Sequence, residues 1–189
     1  NLRSEHPSAN VELYVMNVSS IESIKDTYTS LKEKGIYIDI LINNAAIDPK
    51  ANGEKSIDKQ SRLENLSKDQ WEKEISVGLT GAFLCSQVFG HAMSKSYKGG
   101  VIVNIASDLS IISPDQRLYK RENFSEEEQP VKPITYSVIK TGLIGLTKYL
   151  STYWASKGVR CNAISPGGIF NNQDDQFVTR VNELIPLGR

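Results

Sequence analysis

Apolar positions along this 189-residue chain recur in two rhythms, and turn-forming residues mark where one gives way to the other. Val11–Val18 is dense in β-branched and apolar side chains and predicts a first strand. Ser19 and Glu22 then have the spacing of a capping box, predicting a helix that runs to about Lys34 and stops at Gly35. Ile38–Ile42 is a short apolar run ending at Asn43-Asn44, a second strand. Polar residues dominate from Ile47 to Leu66, interrupted by Pro49 and Gly53, and predict a long loop. Ser67 and Gln70 form another capping box, after which Trp71, Ile75, Leu79, Phe83 and Val88 keep helical spacing to about Tyr97. Gly99-Gly100 break that helix and Val101–Ile105 reads as a buried strand. A second polar stretch covers Ser110 to Pro133, with room for a short helix at Ser125 to Glu128. A helix from about Tyr136 to Ser156 then leads into the strand Val159–Ile164, which ends at Pro166-Gly167-Gly168.

Strands alternating with helices predict parallel βαβ units and an α/β fold with a doubly wound parallel sheet. The short, continuously apolar strands agree, since parallel strands are covered on both faces. Both long loops follow strands, which puts them at the carboxyl edge of the sheet, where open α/β sheets bind ligands.

Composition narrows the function. Basic and acidic residues balance at 22 each with no basic run, which disfavours nucleic acid as a partner, because phosphate binding needs clustered Lys and Arg. Hydrophobic residues at 39% and charged residues at 23% describe an ordinary globular chain, and no apolar run in the sequence reaches the length of a membrane span. No membrane partner and a cytoplasmic location are therefore expected. Cys85 and Cys161 give no disulfide framework, and with only His6 and His91 beside them no metal site is expected. The start NLRSEHPSAN lacks the apolar core of a signal peptide and does not begin with Met.

Tyr136 and Lys140 stand four residues apart, hence on one helix face. An ammonium beside a phenol stabilises the phenolate, and moving the phenol pKa from about 10 to about 7 takes roughly 4 kcal/mol. That amount calls for a second nearby cation. Such a tyrosine exchanges protons with an alcohol or carbonyl oxygen at neutral pH. Spacing alone does not single it out, because Tyr28…Lys32 and Tyr153…Lys157 repeat the pattern.

Context does. Leu41–Ala46 with its Asn43-Asn44-Ala45, Val101–Ser107, Tyr136…Lys140 and Val159–Gly168 with its Pro-Gly turn occur in the order of the motifs of the short-chain dehydrogenase/reductase family, which the chain resembles over essentially its whole length. The resemblance implies a Rossmann-type sheet and hydride transfer between NAD or NADP and a small-molecule carbonyl or alcohol. Tyr136 would be the general acid/base, Lys140 would depress its pKa and hydrogen-bond the nicotinamide ribose, and Ser107 would hold the substrate oxygen. Oxidised nicotinamide would be the second cation. Ser107 also reads as a strand-end cap, and Ser110 is a less favoured substitute. Cofactor contacts would come from Asn17, Val18, Asn44, Ala45, Ala46, Tyr136, Lys140, Pro166, Gly167 and Ile169. Asn17 stands where the family usually has an Asp at the adenine, and Asn43 reads as a sheet-bridging structural residue.

Three departures bear on that carry-over. Gly78 replaces an Asn whose carbonyl, at a helix kink, holds a water in the proton path. Ala46 replaces a Gly, and Phe170-Asn171 lacks a Thr often found near the cofactor amide. The family's glycine-rich βαβ unit should precede Val11, yet Gly35 is the first glycine, and the chain ends at Arg189 before the family's last helix and strand. The expectation is a single, partial domain over 1–189. Alone it should be poorly stable, with no neighbour for Val11–Val18, and should bind dinucleotide weakly. Tight, saturable binding by the isolated chain would overturn this.

The polar loops carry Lys50, Lys55, Lys59, Arg62, Arg117, Lys120, Arg121 and Lys132. These read either as solvated surface or as contacts to an anionic substrate such as a sugar phosphate. The insertion between Ser107 and Tyr136 is similar to that of bacterial oxidoreductases linked to flagellin modification and acidic-sugar synthesis. Two other functions remain open: a non-catalytic dinucleotide-binding sensor or scaffold, and a dehydratase or epimerase on the same scaffold. The resemblance also implies a homodimer or homotetramer packed through the two long helices, with Gly142 and Gly145 allowing close helix approach or simply letting the helix lie near the sheet.

Overall fold

The computed structural model describes Glu5 and residues 8–47, 61–122 and 124–188. Its sheet holds three parallel strands in the order β1 (Ile40–Asn43), β2 (Gly100–Ile105) and β3 (Val159–Ile164), with Leu41, Ile102 and Cys161 in register. Val11–Val18, expected as a strand, pairs with no neighbour among the described residues. It keeps the alternation of one, however. Tyr14, Met16 and Val18 pack on the core while Leu13 and Val15 are exposed. The β pattern is present, but a strand needs a partner to become a ladder.

Helix α1 (Ile21–Glu33) is capped by Ser20, whose side chain accepts from Ser23 N–H, so the cap lies one residue beyond the expected Ser19. It stops at Gly35, whose φ of +70° is the left-handed conformation that closes a helix. Helix α2 runs from Lys68 to Lys95 behind an N-cap at Ser67, as its capping box predicts. Two π-helical stretches interrupt it, Ser76–Thr80 and Ser86–Gly90. By length and composition α2 could cross a membrane. Its Cys85, Phe89 and Met93 are instead buried in the protein core. Helix α3 (Ile134–Tyr153) precedes β3, and α4 (Asp175–Leu184) follows it.

Because side chains alternate across a strand, Leu41, Ile102, Val159 and Cys161 point to one face, where Met93 of α2 and Leu150 of α3 meet them. Asn104 is fully buried on that face. Its carbonyl accepts from Asn43 Nδ2 at 2.8 Å and its amide donates to Thr147 Oγ1 at 2.8 Å, so Asn43 does bridge the sheet. The opposite face leaves Ile40, Ile42 and Ile164 exposed.

The glycines set the helix spacing. A Cβ on Gly78 would lie 2.9 Å from Ile139, and one on Gly142 would lie 2.8 Å from Leu79. The close approach at Gly142 is thus between α3 and α2 of the same chain, whereas Gly145 faces open space.

Candidate active site

The carboxyl ends of the strands gather the residues that carry chemistry. Beyond β2 and β3 the ladder continues: Ala106 N–H donates to Ile164 O at 2.8 Å, and Asp108 N–H to Pro166 O at 3.0 Å. Ser107 is thereby fixed beside the Pro166-Gly167 turn. Ser107 also N-caps the short 3-10 turn Asp108–Ser110, so its capping geometry is real. Its Oγ accepts from Leu109 N–H at 3.2 Å and donates to Asp108 Oδ1 at 2.7 Å. The Ser110 hydroxyl donates back to Ser107 O.

Helix α3 opens at this edge. Pro133 is its N-cap, a position whose fixed φ and missing N–H suit a helix start. Tyr136 lies in the first turn and is half-buried. Lys140, one turn on, is 7% exposed, and its Nζ donates to Ile105 O at 2.7 Å, just ahead of Ser107 in the chain. The ammonium stands 5.6 Å from the Tyr136 ring centroid. Tyr136, Lys140, Ser107 and the Pro166-Gly167 turn therefore share one strand-end surface, and the other Tyr–Lys pairs do not.

Asn44, Ala45 and Ala46 are exposed just past β1, and Gly167 and Ile169 just past β3. The small side chains of Ala45, Ala46 and Gly167 leave the backbone open to a flat ligand there, and the donors Tyr136, Lys140 and Ser107 suit the hydroxyls of a ribose and a substrate. The residues present fit a dinucleotide. Asn17 and Val18 lie just ahead of α1. Asn17 Oδ1 accepts from Ser19 N–H and Oγ, and Val18 packs against Gly81. Among the described residues no cluster of three or more His, Cys, Asp or Glu could hold a metal.

The insertion before α3 is tied down from both sides. Arg62 Nη1 donates to Glu126 O, and Arg180 Nη1 to Leu118 O and Lys120 O, while Tyr119 packs on Phe177 of α4. Inside it, the buried Gln129 amide accepts from Arg121 N–H and donates to Arg121 O and Phe124 O. Arg62 pairs with Glu64, and Arg117 with Asp115, whose carboxyl the guanidinium holds down at about 2. Both arginines thus have carboxylate partners close in the chain; Lys50, Lys55 and Lys59 lie outside the described residues. Sequence reading missed Gln116, Gln129 and α4. Only α4 had a readable signal, a capping Asp174 followed by Phe177, Val178, Val181 and Leu184 at helical spacing.

A parallel α/β sheet with a Tyr–Lys pair and a serine at its carboxyl edge is the architecture of proteins that bind a dinucleotide across strand ends. Comparison with known proteins gives the family. Residues 1–119 match the family model described as short chain dehydrogenase, and residues 124–189 the one described as Enoyl-(Acyl carrier protein) reductase. The chain belongs to the short-chain dehydrogenase family. It is 29% identical over 184 residues to the 3-oxoacyl-[acyl-carrier-protein] reductase FabG of Thermotoga maritima, covering 95% of this chain and 63% of that protein. It is 30% identical to an NAD-dependent glycerol dehydrogenase of Listeria innocua, covering 97% of this chain and 63% of that protein. The crystal structure of a short chain dehydrogenase from Leptospira borgpetersenii with bound NAD+ superposes with a TM-score of 0.77 at 32% identity, covering 92% of this chain and 60% of that one. The chain thus spans about three-fifths of the length of the relatives it matches.

Proposed function

We propose that the protein is an NAD(P)-dependent oxidoreductase that moves hydride between nicotinamide and a carbonyl or alcohol. The observation that carries this reading is the convergence of Ser107, Tyr136 and Lys140 on one strand-end surface, with Lys140 anchored on Ile105 O. Bound nicotinamide would supply the hydride acceptor or donor. In the oxidative direction the Tyr136 phenolate takes the proton of the substrate hydroxyl as the carbinol C–H electron pair departs; in reduction the phenol returns that proton to the oxygen. Lys140 holds positive charge near the phenol and would hydrogen-bond the nicotinamide ribose. Ser107, whose hydroxyl donates to Asp108 at 2.7 Å, rotates to donate to the substrate oxygen, alcohol or carbonyl. Asn44, Ala45, Ala46, Pro166, Gly167 and Ile169 form the dinucleotide-facing surface, joined at the adenine end by Asn17 and Val18.

For the substrate we infer a polyol or sugar derivative, a choice supported by the polyhydroxyl substrates named for the relatives from Listeria innocua and Bacillus subtilis. A place in glycan or flagellin modification, in the cytoplasm and as a homodimer or homotetramer, completes the reading. Incubating the intact protein with NAD+ or NADP+ and a panel of polyols and amino sugars tests it. Reduced nicotinamide should form stoichiometrically with substrate oxidised. Turnover of a sugar nucleotide without net reduced cofactor would favour the dehydratase or epimerase chemistry instead, and saturable dinucleotide binding without any turnover would favour the sensor.

A further inference from the structure

Lys140 is not the ammonium nearest the Tyr136 ring. Lys132 Nζ lies 3.6 Å from the ring centroid, against 5.6 Å for Lys140. Lys132 belongs to the insertion, one residue before the N-cap of α3, and its backbone is clamped. Its N–H donates to Gln116 Oε1 at 2.8 Å, and its carbonyl accepts from Gln116 Nε2 at 3.4 Å. Gln116 begins a 3-10 turn capped by Asp115, so the clamp is itself braced. Pro133 fixes the chain on the other side.

We propose that Lys132 is a positioning residue for the reaction: held over the face of Tyr136 by Gln116, its ammonium stabilises the phenolate form that takes the substrate proton. This rests on Tyr136 being the proton-transfer group. The elements packed near Tyr136 carry charged groups of both signs among the described residues. Helix α3 itself contributes Lys140. The turn after β2 contributes Asp108, hydrogen-bonded to Ser107, and α2 contributes the buried Glu74, which accepts from the Thr135 hydroxyl next to Tyr136. The strand end of β3 offers only Ser165 and the Pro166-Gly167 turn, which carry no charge. Lys132 on the ring face adds a second ammonium that offsets these carboxylates and shifts the phenol toward the phenolate. A charge at such range shifts an acid by roughly 1–3 units, and the half-exposed setting of Lys132 puts the effect at the low end. Lys132 is part of the chain, so the effect exists without bound cofactor.

An ultraviolet tyrosinate titration of the intact, cofactor-free protein tests this, with Tyr136→Phe subtracted to isolate the one phenol. Lys132→Gln should raise the midpoint by about one pH unit, Lys132→Arg should leave it near wild type, and Gln116→Ala should move it part of the way. The acid limb of kcat against pH should follow. An unmoved midpoint in Lys132→Gln overturns the proposal, as does a rise in KM confined to anionic substrates with the midpoint unmoved, which would make Lys132 an anion handle. Undiminished turnover by Tyr136→Phe would instead remove the underlying reading, and the titration would still report on Lys132.

Discussion

Glu74 is a carboxylate at 2% exposure held by neutral donors, the Thr135 hydroxyl and the Gln70 amide. It joins α2 to the first turn of α3, the turn that carries Tyr136. A buried acceptor that loses a donor keeps its full desolvation cost, about 1–3 kcal/mol. Thr135→Val should therefore lower Tm by several degrees, at roughly 2–4 °C per kcal/mol for a chain of this size. It should also slow turnover by loosening Tyr136. An unchanged melt would show that the contact carries no stability. None of this was readable from sequence, where Glu74 is one of many charges on an amphipathic helix. Tyr136, Lys140 and Ser107 were readable because their neighbours in the chain form ordered motifs. Lys132 was visible only as one cation among eight in the loops, because its place depends on Gln116, sixteen residues away.

At the scale of elements, α2 and α3 lie close enough that two glycines with similar sequence surroundings have opposite roles. Gly142 has Leu79 in the space a Cβ would take, while Gly145 has nothing within 4 Å. Gly142→Ala gains helix propensity but must push the Leu79 methyls aside, so it should be less stable than Gly145→Ala. Gly145→Ala should stabilise by up to about 1 kcal/mol through helix propensity. Denaturant midpoints of the two variants check this, and equal shifts would contradict it. The helices and the strands Val101–Ile105 and Val159–Ile164 were legible because periodicity and Gly or Pro punctuation act locally. The π-helical stretches of α2 were not; each holds a glycine, Gly78 or Gly90, that lies close against Ile139 or Trp154 of another element. Val11–Val18 shows the converse, a correct local pattern whose outcome depends on a neighbour.

For the molecule as a whole, burial pushes the Cys85 thiol from 9.0 to about 11 and moves Cys161 in the same direction, opposed by a hydrogen bond with Thr147. Both thiols should react with a disulfide reagent only after unfolding. The unfolded chain releases these protons at lower pH than the folded one. Stability should therefore hold below about pH 9 and fall as pH rises toward about 11. Stability independent of pH across that window would contradict the burial. Ile40, Ile42 and Ile164 on the open sheet face, with Leu13 and Val15, leave apolar surface of the kind that drives association. The 189-residue chain expressed by itself should bind a hydrophobic dye and elute larger than a monomer. A dye-silent monomer would contradict this.

The phenol of Tyr136 bears most of the account, so the most direct measurement compares reduced-nicotinamide formation by the intact protein and its Tyr136→Phe variant, with dinucleotide binding measured alongside. Loss of general acid/base catalysis should lower kcat by about 100- to 10,000-fold while dinucleotide affinity stays within a few-fold. Turnover by Tyr136→Phe at the wild-type rate would contradict the account.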